Sequence, residues 1–250
     1  MRALLLQQER IFDPVTIRHL NEIGVREGWR CADIGAGTGS IARWLARRVG
    51  MSGAVVATDI DTRFLATLAS STLSVRRHDI VTEPLEFDAF DLVHARLFVA
   101  RMPELTAARD AALAHMLAAL KPGAWLLAEA CDIVMSESIL PASELQIKAA
   151  EALRTLYARS PEDRFFGRKL RSSLQALQLE RIHTDVSAAS ASTDVNAFAL
   201  ALEQQRVALA SAHLLTDGEI DLAIAEAAHQ SVADAYYPLM VAAWGQRHGA

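Results

Sequence analysis

Apolar positions fall into short blocks of alternating period along this chain. From Leu4 to Ile23 they recur at helical spacing, interrupted at Asp13-Pro14, where Asp13 is placed to cap a second helix and Pro14 to fill its first turn; Gly24 ends it. Arg30-Cys31-Ala32-Asp33-Ile34 predicts a short strand, Gly35 to Gly39 a glycine-rich turn, and Ile41 to Val49 a helix with Ile41, Leu45 and Val49 on one face. The rhythm repeats. Strands are predicted at Ala54–Thr58, Leu73–His78, Phe90–His94 and Trp125–Ala130, and helices at Arg63–Ala69 and Leu105–Leu120. Ile80–Ala89 and the stretch around Arg101-Met102-Pro103 are loops, and Lys121-Pro122-Gly123 closes the long helix. Strands alternating with helices make a parallel sheet covered on both faces, with right-handed crossovers.

After Ile133 the order changes. A helix is predicted from Glu144 to Arg159, broken by Ser160-Pro161-Glu162-Asp163, then a helix at Leu170–Leu179 and a strand at Arg181–Ser187. Beyond a small-residue loop from Ala188 to Ser192 come two helices, Asn196–Ala210 and Asp217–Ala233, and a last strand, Leu239–Gly245. In an open α/β sheet, ligands bind at the carboxyl ends of the strands. The segment from Ser136 to Gly167 is therefore expected to lie over that crevice as a lid; its apolar face, Leu145, Ala149, Leu153 and Leu156, reads as the core of a second helix, and Tyr157, Phe165 and Phe166 as the part that could face an acceptor. The helix from Leu4 to Phe12 is the other candidate lid.

Charge and composition narrow the partners. The 250 residues carry a net charge of -5. Arg47-Arg48 and Arg76-Arg77 are isolated pairs, so no nucleic-acid partner is expected. No apolar run approaches the roughly 20 residues of a membrane span, and Met1 to Leu6 is too short for a signal peptide, which points to a cytoplasmic protein. Cys31 and Cys131 sit in strand-like runs and read as buried, reduced thiols. His115, His183, His213 and His229 share no ligand spacing, so no metal site is expected.

The glycine turn carries the chemistry. Glycines let the backbone approach a ligand closely. Asp33, two residues before Gly35, places a carboxylate where a cationic ammonium group would be welcome. Asp59 ends the second strand twenty residues after Gly39, where an acid of this fold accepts ribose hydroxyls. Asp59 and Asp61 also each have the plainer reading of a helix cap. Alone, the glycine turn fits a dinucleotide site as well.

Together these segments resemble the class I S-adenosylmethionine-dependent methyltransferases. Asp33-Ile34-Gly35-Ala36-Gly37-Thr38-Gly39 is similar to the family's glycine motif, and Asp59 to its ribose acid. Arg77-His78-Asp79-Ile80 resembles the motif whose acid meets the adenine amino group, which makes that acid Asp79. Phe90-Asp91-Leu92-Val93-His94-Ala95-Arg96 resembles the fourth strand and the loop behind the transferred methyl, and Leu120-Lys121-Pro122-Gly123-Ala124-Trp125-Leu126-Leu127 the turn into the fifth strand. Phe166-Gly167-Arg168-Lys169-Leu170, Leu215 to Asp221 and Pro238 to Gly245 resemble later segments of bacterial small-molecule enzymes of natural-product type. The Asn-Pro-Pro-aromatic signature of amino-methylating nucleic-acid enzymes is replaced by His94-Ala95-Arg96-Leu97.

The resemblance implies an α/β fold: a doubly wound, seven-stranded sheet, mostly parallel with an antiparallel last strand, under a helical cap. It implies a single domain over 1–250, divided into N-terminal helices (1–29), a cofactor-binding core (30–133), the cap insertion (136–167) and the rest of the sheet and helices (168–250). The cofactor is S-adenosylmethionine, with S-adenosylhomocysteine as product. Asp33, Gly35, Ala36, Gly37, Gly39, Asp59, Ile60, Asp79, Ile80, His94 and Ala95 are its expected contacts. The partner is a small-molecule methyl acceptor, on oxygen, nitrogen or carbon, in bacterial secondary metabolism; a homodimer is compatible with all of this. His94 is the candidate general base, since the end of the fourth strand normally lies beside the methyl group. Arg96 either holds an acidic substrate or pairs with Glu129 or Asp132, and Glu129 either takes a proton or acts as a strut. Two rivals stand beside this reading. One is a nicotinamide-dependent oxidoreductase, which Ser40 fits poorly where a third glycine or alanine is usual. The other is a regulatory protein that binds the cofactor without turnover.

Overall fold

The computed structural model describes residues 2–101, 107–132, 143–159, 162–188, 196–228 and 239–249. Chain segments with no polar side to show water form its centre. Arg30–Ile34 (β1), Ala54–Asp59 (β2) and Phe90–Arg96 (β4) are buried along nearly their whole length, as strands covered on both faces must be. With Leu73–Arg77 (β3), Leu120–Asp132 (β5), Glu180–Ala188 (β6) and Leu239–Gln246 (β7) they form one sheet in the order β3-β2-β1-β4-β5-β7-β6. The pairs from β3 through β5 are parallel, and β7 runs antiparallel to both β5 and β6. This is the expected doubly wound, seven-stranded sheet with its last strand reversed. Strand order reverses between β1 and β4, so a crevice opens beyond their carboxyl ends.

Helices cover both faces. Arg2–Ile23 (α1) and Ser40–Val49 (α2) pack on one face through Leu20, Ile41, Leu45 and Val49. Ala107–Ala119 (α3) and Leu170–Ala176 (α5) pack on the other through Leu113, Met116, Leu170 and Leu174. Glu144–Ala158 (α4), Ala197–Ser211 (α6) and Asp217–Ala228 (α7) bury Ala149, Leu153, Phe198, Leu202 and Ile220 against one another. The apolar face of α4 is thus spent on a separate helical core. Among the described residues, α4 puts nothing on the wall of the crevice.

Several expected boundaries move. The N-terminal segment is one helix with Pro14 inside it, not two. Asp13 does not cap, because its carboxylate takes hydrogen bonds from Arg96 (2.8 Å) and Ser40 (3.0 Å). The helix expected at Arg63–Ala69 is a single 3₁₀ turn, Thr62–Phe64. Leu65 and Leu68 pack beside it, but only the exposed Ala69 and the polar Ser70-Ser71-Thr72 follow, with nothing to bury in further turns. β3 stops at Arg77, and β5 begins at Leu120, where it pairs with Phe90. The helix ending at Leu179 closes at Ala176, after a 3₁₀ turn at Phe166–Lys169. Met102, Pro103, Ser160, Pro161, His229, the start of the Ser136–Gly167 segment, most of the Ala188–Ser192 loop and the end of the last predicted helix lie outside the described residues. Among the described residues, no helix is long and apolar enough to cross a membrane, and no group of three or more His, Cys, Asp or Glu is placed to hold a metal.

Candidate functional site

A cavity of about 540 Å³ occupies the crevice beyond β1, β2 and β4. The turn after β1 makes its floor. There the Gly37 amide donates to Asp59 Oδ2 at 2.9 Å, and Asp59 Oδ1 accepts the Asp61 amide at 3.0 Å. The Asp59 carboxylate therefore joins the glycine turn to the end of β2. Gly37 has φ +60°, and a β-carbon built on it meets nothing within 4 Å, so that position opens on the cavity. Gly39 is different. It caps α2 with φ +81°, and a β-carbon there would collide with Leu68 Cδ1 and lie 2.9 Å from Leu65 Cδ2.

Most of the expected contacts are brought together. Asp33, Gly35, Ala36, Gly37, Asp59, Ile60, Asp79, Ile80 and His94 all line the cavity. Asp79 is oriented by accepting the Val81 amide at 3.0 Å, and Ile60 stands exposed on the rim. Two expected contacts are off the wall. Gly39 is turned into packing against the segment after β2, and Ala95 points into the core on the other face of the sheet. Strand alternation explains Ala95: its neighbours His94 and Arg96 face the cavity, so it must face away. Asp61 takes the plainer role, accepting the Arg63 amide and pairing with its guanidinium.

Helix α1 supplies part of the wall that the motifs do not announce. Leu5, Gln8 and Glu9 line the cavity. Glu9 accepts a very short hydrogen bond from Thr38, inside the glycine turn. Glu9, Asp13 and Thr16 stand at helical spacing on the buried side of α1, a polar stripe that was the available signal. Arg96 uses this stripe, donating to Thr16 Oγ1 (2.9 Å) and Asp13 (2.8 Å) rather than to Glu129 or Asp132. Asp132 pairs instead with Arg168 at 2.7 Å.

His94 is almost fully buried. Its Nδ1 is 2.8 Å from Asp33 Oδ1 and its Nε2 is 3.4 Å from Glu129 Oε2. Burial alone would lower its pKa, but the two carboxylates more than offset that, and the pKa is raised to about 9. A ring that donates from both nitrogens has no lone pair to take a proton. The general-base role expected from its position does not fit this geometry. Glu129 is the strut: buried on every side, it accepts from Thr16 (2.6 Å) and faces His19 Nδ1 (2.8 Å) as well as His94. Despite burial, these bonds hold it far below the usual carboxylate range.

A pH dependence follows. A histidine pKa of about 9 in the fold, against roughly 6.5 unfolded, contributes stability that is complete below about pH 6.5 and lost as pH rises through about 9. The His19 pKa is also raised, by Glu129 and Asp185 against the opposing effect of burial, so it acts in the same direction. The melting temperature is expected to hold level from pH 5 to 6.5 and fall steadily from there to pH 9.5. A level profile across that upper range, followed by circular dichroism, would rule out the charged pairing.

The comparisons with known proteins agree with this geometry. Residues 31–123 match the model of a methyltransferase domain. The chain is 35% identical over 114 residues to a ubiquinone/menaquinone biosynthesis C-methyltransferase, UbiE, of Laribacter hongkongensis, covering 43% of this chain and 45% of that protein. It is 37% identical over 114 residues to the UbiE of Bordetella parapertussis, covering 43% of each. The matches thus span under half the length of these relatives. By structure, it resembles the phosphoethanolamine N-methyltransferase 2 of Haemonchus contortus, solved with phosphomonomethylethanolamine and S-adenosylhomocysteine. The TM-score is 0.63 at 16% identity, over 99% of this chain and 58% of that one. It also resembles the [4+2]-cyclase SpnF, with a TM-score of 0.57 at 19% identity, over 95% of this chain and 81% of that one. Residues 31–123 thus match a methyltransferase domain in sequence, and the fold that carries them is the class I methyltransferase fold that these solved structures share.

Proposed function

We propose that this protein transfers a methyl group from S-adenosylmethionine to a small organic acceptor and releases S-adenosylhomocysteine. One observation carries the reading: a single cavity at the topological switch point is walled by Asp33, Gly37, Asp59 and Asp79, in the order in which the chain leaves β1, β2 and β3. The residues fit the cofactor. The Gly37 position leaves open a cradle that a side chain would fill. Asp33 is a carboxylate for an ammonium group, Asp59 for ribose hydroxyls and Asp79 for an adenine amino group, and Ile60 and Ile80 offer apolar surface beside it. When bound, the cofactor supplies a methyl group already activated on a sulfonium.

The chain's own part is binding and alignment. Sulfonium displacement is in-line, so holding donor and acceptor in register supplies most of the rate. Arg96, Leu97 and Phe98 follow His94 along the same wall, where an acceptor would be met. The relatives are named as C-methyltransferases, which favours carbon as the atom methylated. Their names place them in quinone biosynthesis and lend no support to secondary metabolism, so the acceptor is proposed only as a small molecule. Sharing a fold with a cyclase is a reminder that turnover is a property of the site and not of the sheet.

The test is binding followed by turnover. Calorimetry should show S-adenosylhomocysteine binding to the wild type, and Asp59→Ala should weaken it by about 1.5–3 kcal/mol for each charged hydrogen bond lost. Retained circular dichroism will show that the fold survives. An unchanged dissociation constant would remove Asp59 from the site. Tight binding of a nicotinamide cofactor instead would favour the oxidoreductase. Labelled S-adenosylmethionine that transfers nothing to any quinol or phenolic acceptor would favour a regulatory protein.

A further inference from the structure

A row of opposite charges crosses one face of the sheet and ends in the cavity. In register, Asp33 on β1 stands beside His94 on β4, and Arg96, two residues on, beside Glu129 on β5. Glu129 stands beside Ala242 on β7, and Ala242 beside Asp185 on β6. Residues two apart on a strand share a face, so all of these point to the same side. Ala242 offers only a methyl group there. His19 of α1 lies on this face, its ring 5.1 Å from that of Trp244, two residues along the same strand.

The contacts run without a break. Asp33 meets His94, His94 meets Glu129, Glu129 meets His19, and His19 Nε2 reaches Asp185 at 3.1 Å; Arg18 closes the row on Asp185 at 2.7 Å. Asp33 gives one oxygen to His94, and its other oxygen takes no hydrogen bond among the described residues. That oxygen belongs to a carboxylate on the cavity wall.

On the methyltransferase reading, we propose that His94 is a positioning residue, fixed from behind by Glu129 and His19, that holds Asp33 for the ligand's ammonium group and so ties cofactor affinity to the seating of α1. The charges support this. A buried carboxylate without a hydrogen-bond donor behind it would be costly and free to turn away. A lone imidazolium beside it would cancel the attraction for a cationic ligand. With Glu129 behind, Asp33, His94 and Glu129 carry one net negative charge between them. Arg96 on the same strand is balanced by Asp13, and Thr16 is neutral. At the far end His19 faces Asp185, and Arg18 pairs with both Asp185 and Glu22, so no surplus charge is added there.

Two probes separate this role from a merely structural one. S-adenosylhomocysteine carries the ammonium group; 5′-methylthioadenosine keeps the nucleoside and thioether and lacks it. Calorimetry on the full chain should show that His94→Gln weakens S-adenosylhomocysteine about tenfold or more, while 5′-methylthioadenosine changes by less than about twofold. His19→Gln, outside the cavity, should shift the first ligand alone, in the same direction and by less. If His94→Gln does not fold, Asp185→Asn at the part-exposed end tests the same row and should show the same selectivity. A wild type that binds neither ligand defeats the methyltransferase reading itself. Where the wild type binds both, variants that change both ligands equally, or neither, overturn the positioning role. A selective His94→Gln with a silent His19→Gln overturns the link to α1.

Discussion

Replacing Gly37 with valine is expected to raise the dissociation constant for S-adenosylhomocysteine by about 100-fold or more, with little loss of folded structure. Gly37 holds φ +60°, where an L side chain is strained by roughly 1–2 kcal/mol per residue and a β-branched one by more. Nothing in the fold lies within 4 Å of the new β-carbon, so the valine methyl groups would stand in the cavity itself. The strain also reaches Asp59, because the Gly37 amide is one of the two that orient its carboxylate. Steric exclusion and loss of aim together exceed the ~2.8 kcal/mol that a 100-fold change represents. Alanine at the same position should be milder. Alanine at Gly39 should act the other way, lowering the melting temperature first, because its β-carbon meets Leu65 and Leu68. Valine at 37 with binding within about threefold of wild type would reduce Gly37 to a turn residue.

The second large effect is on stability. Glu129→Leu is expected to cost about 3–5 kcal/mol, because removing one member of a buried ion network leaves its partners short of counter-charge and of hydrogen-bond acceptors. Here a single carboxylate serves His19, His94 and Thr16, and the first two lie buried with almost no route to water. His94 then keeps only Asp33 and His19 only Asp185, and each buried ring nitrogen that faced Glu129 is left without an acceptor. For a chain of this size that is a fall in melting temperature on the order of 10 °C. Urea denaturation of wild type and variant at pH 7 measures it. A loss under about 1 kcal/mol would show that the histidines are neutral and the cluster is ordinary hydrogen bonding.

The sheet was legible because its strands are apolar without alternation and its turns are marked by glycine and acid. Asp33, Gly37, Asp59 and Asp79 could be placed from local context alone, since each closes a strand whose end the pattern shows. The side chain of Ala95 faces the core rather than the cavity, since the strand's end was legible and its facing was not. The role of His94 could not be read at all, because Glu129 lies 35 residues further along the chain and His19 lies 75 residues before it, and only pairing of β4 with β5 brings them into contact. The partners of the second core helix were hidden for a similar reason. The apolar stripe of α4 is equally suited to a ligand or to another helix, and its partners, α6 and α7, lie 40 to 80 residues away.

The position of β7 between β5 and β6 fixes an order of events during synthesis. Among the described residues β6 lies at the edge of the sheet and is hydrogen-bonded to β7 alone, yet it leaves the ribosome before β7 does. Until residues 239–246 arrive, β6 has no strand to pair with, and the outer side of β5 shows a row of unpaired backbone groups, an open template for other chains. The gap in chain length between β5 and β7 exceeds one hundred residues, and such distant closures are slow. A ribosome that stalls between β6 and β7 therefore exposes a half-sheet that already carries the complete glycine turn and both of its acids. Aggregation and proteolysis in the cell will be decided in that interval, and slower translation of residues 189–238 should lower the yield of folded protein without altering its final stability.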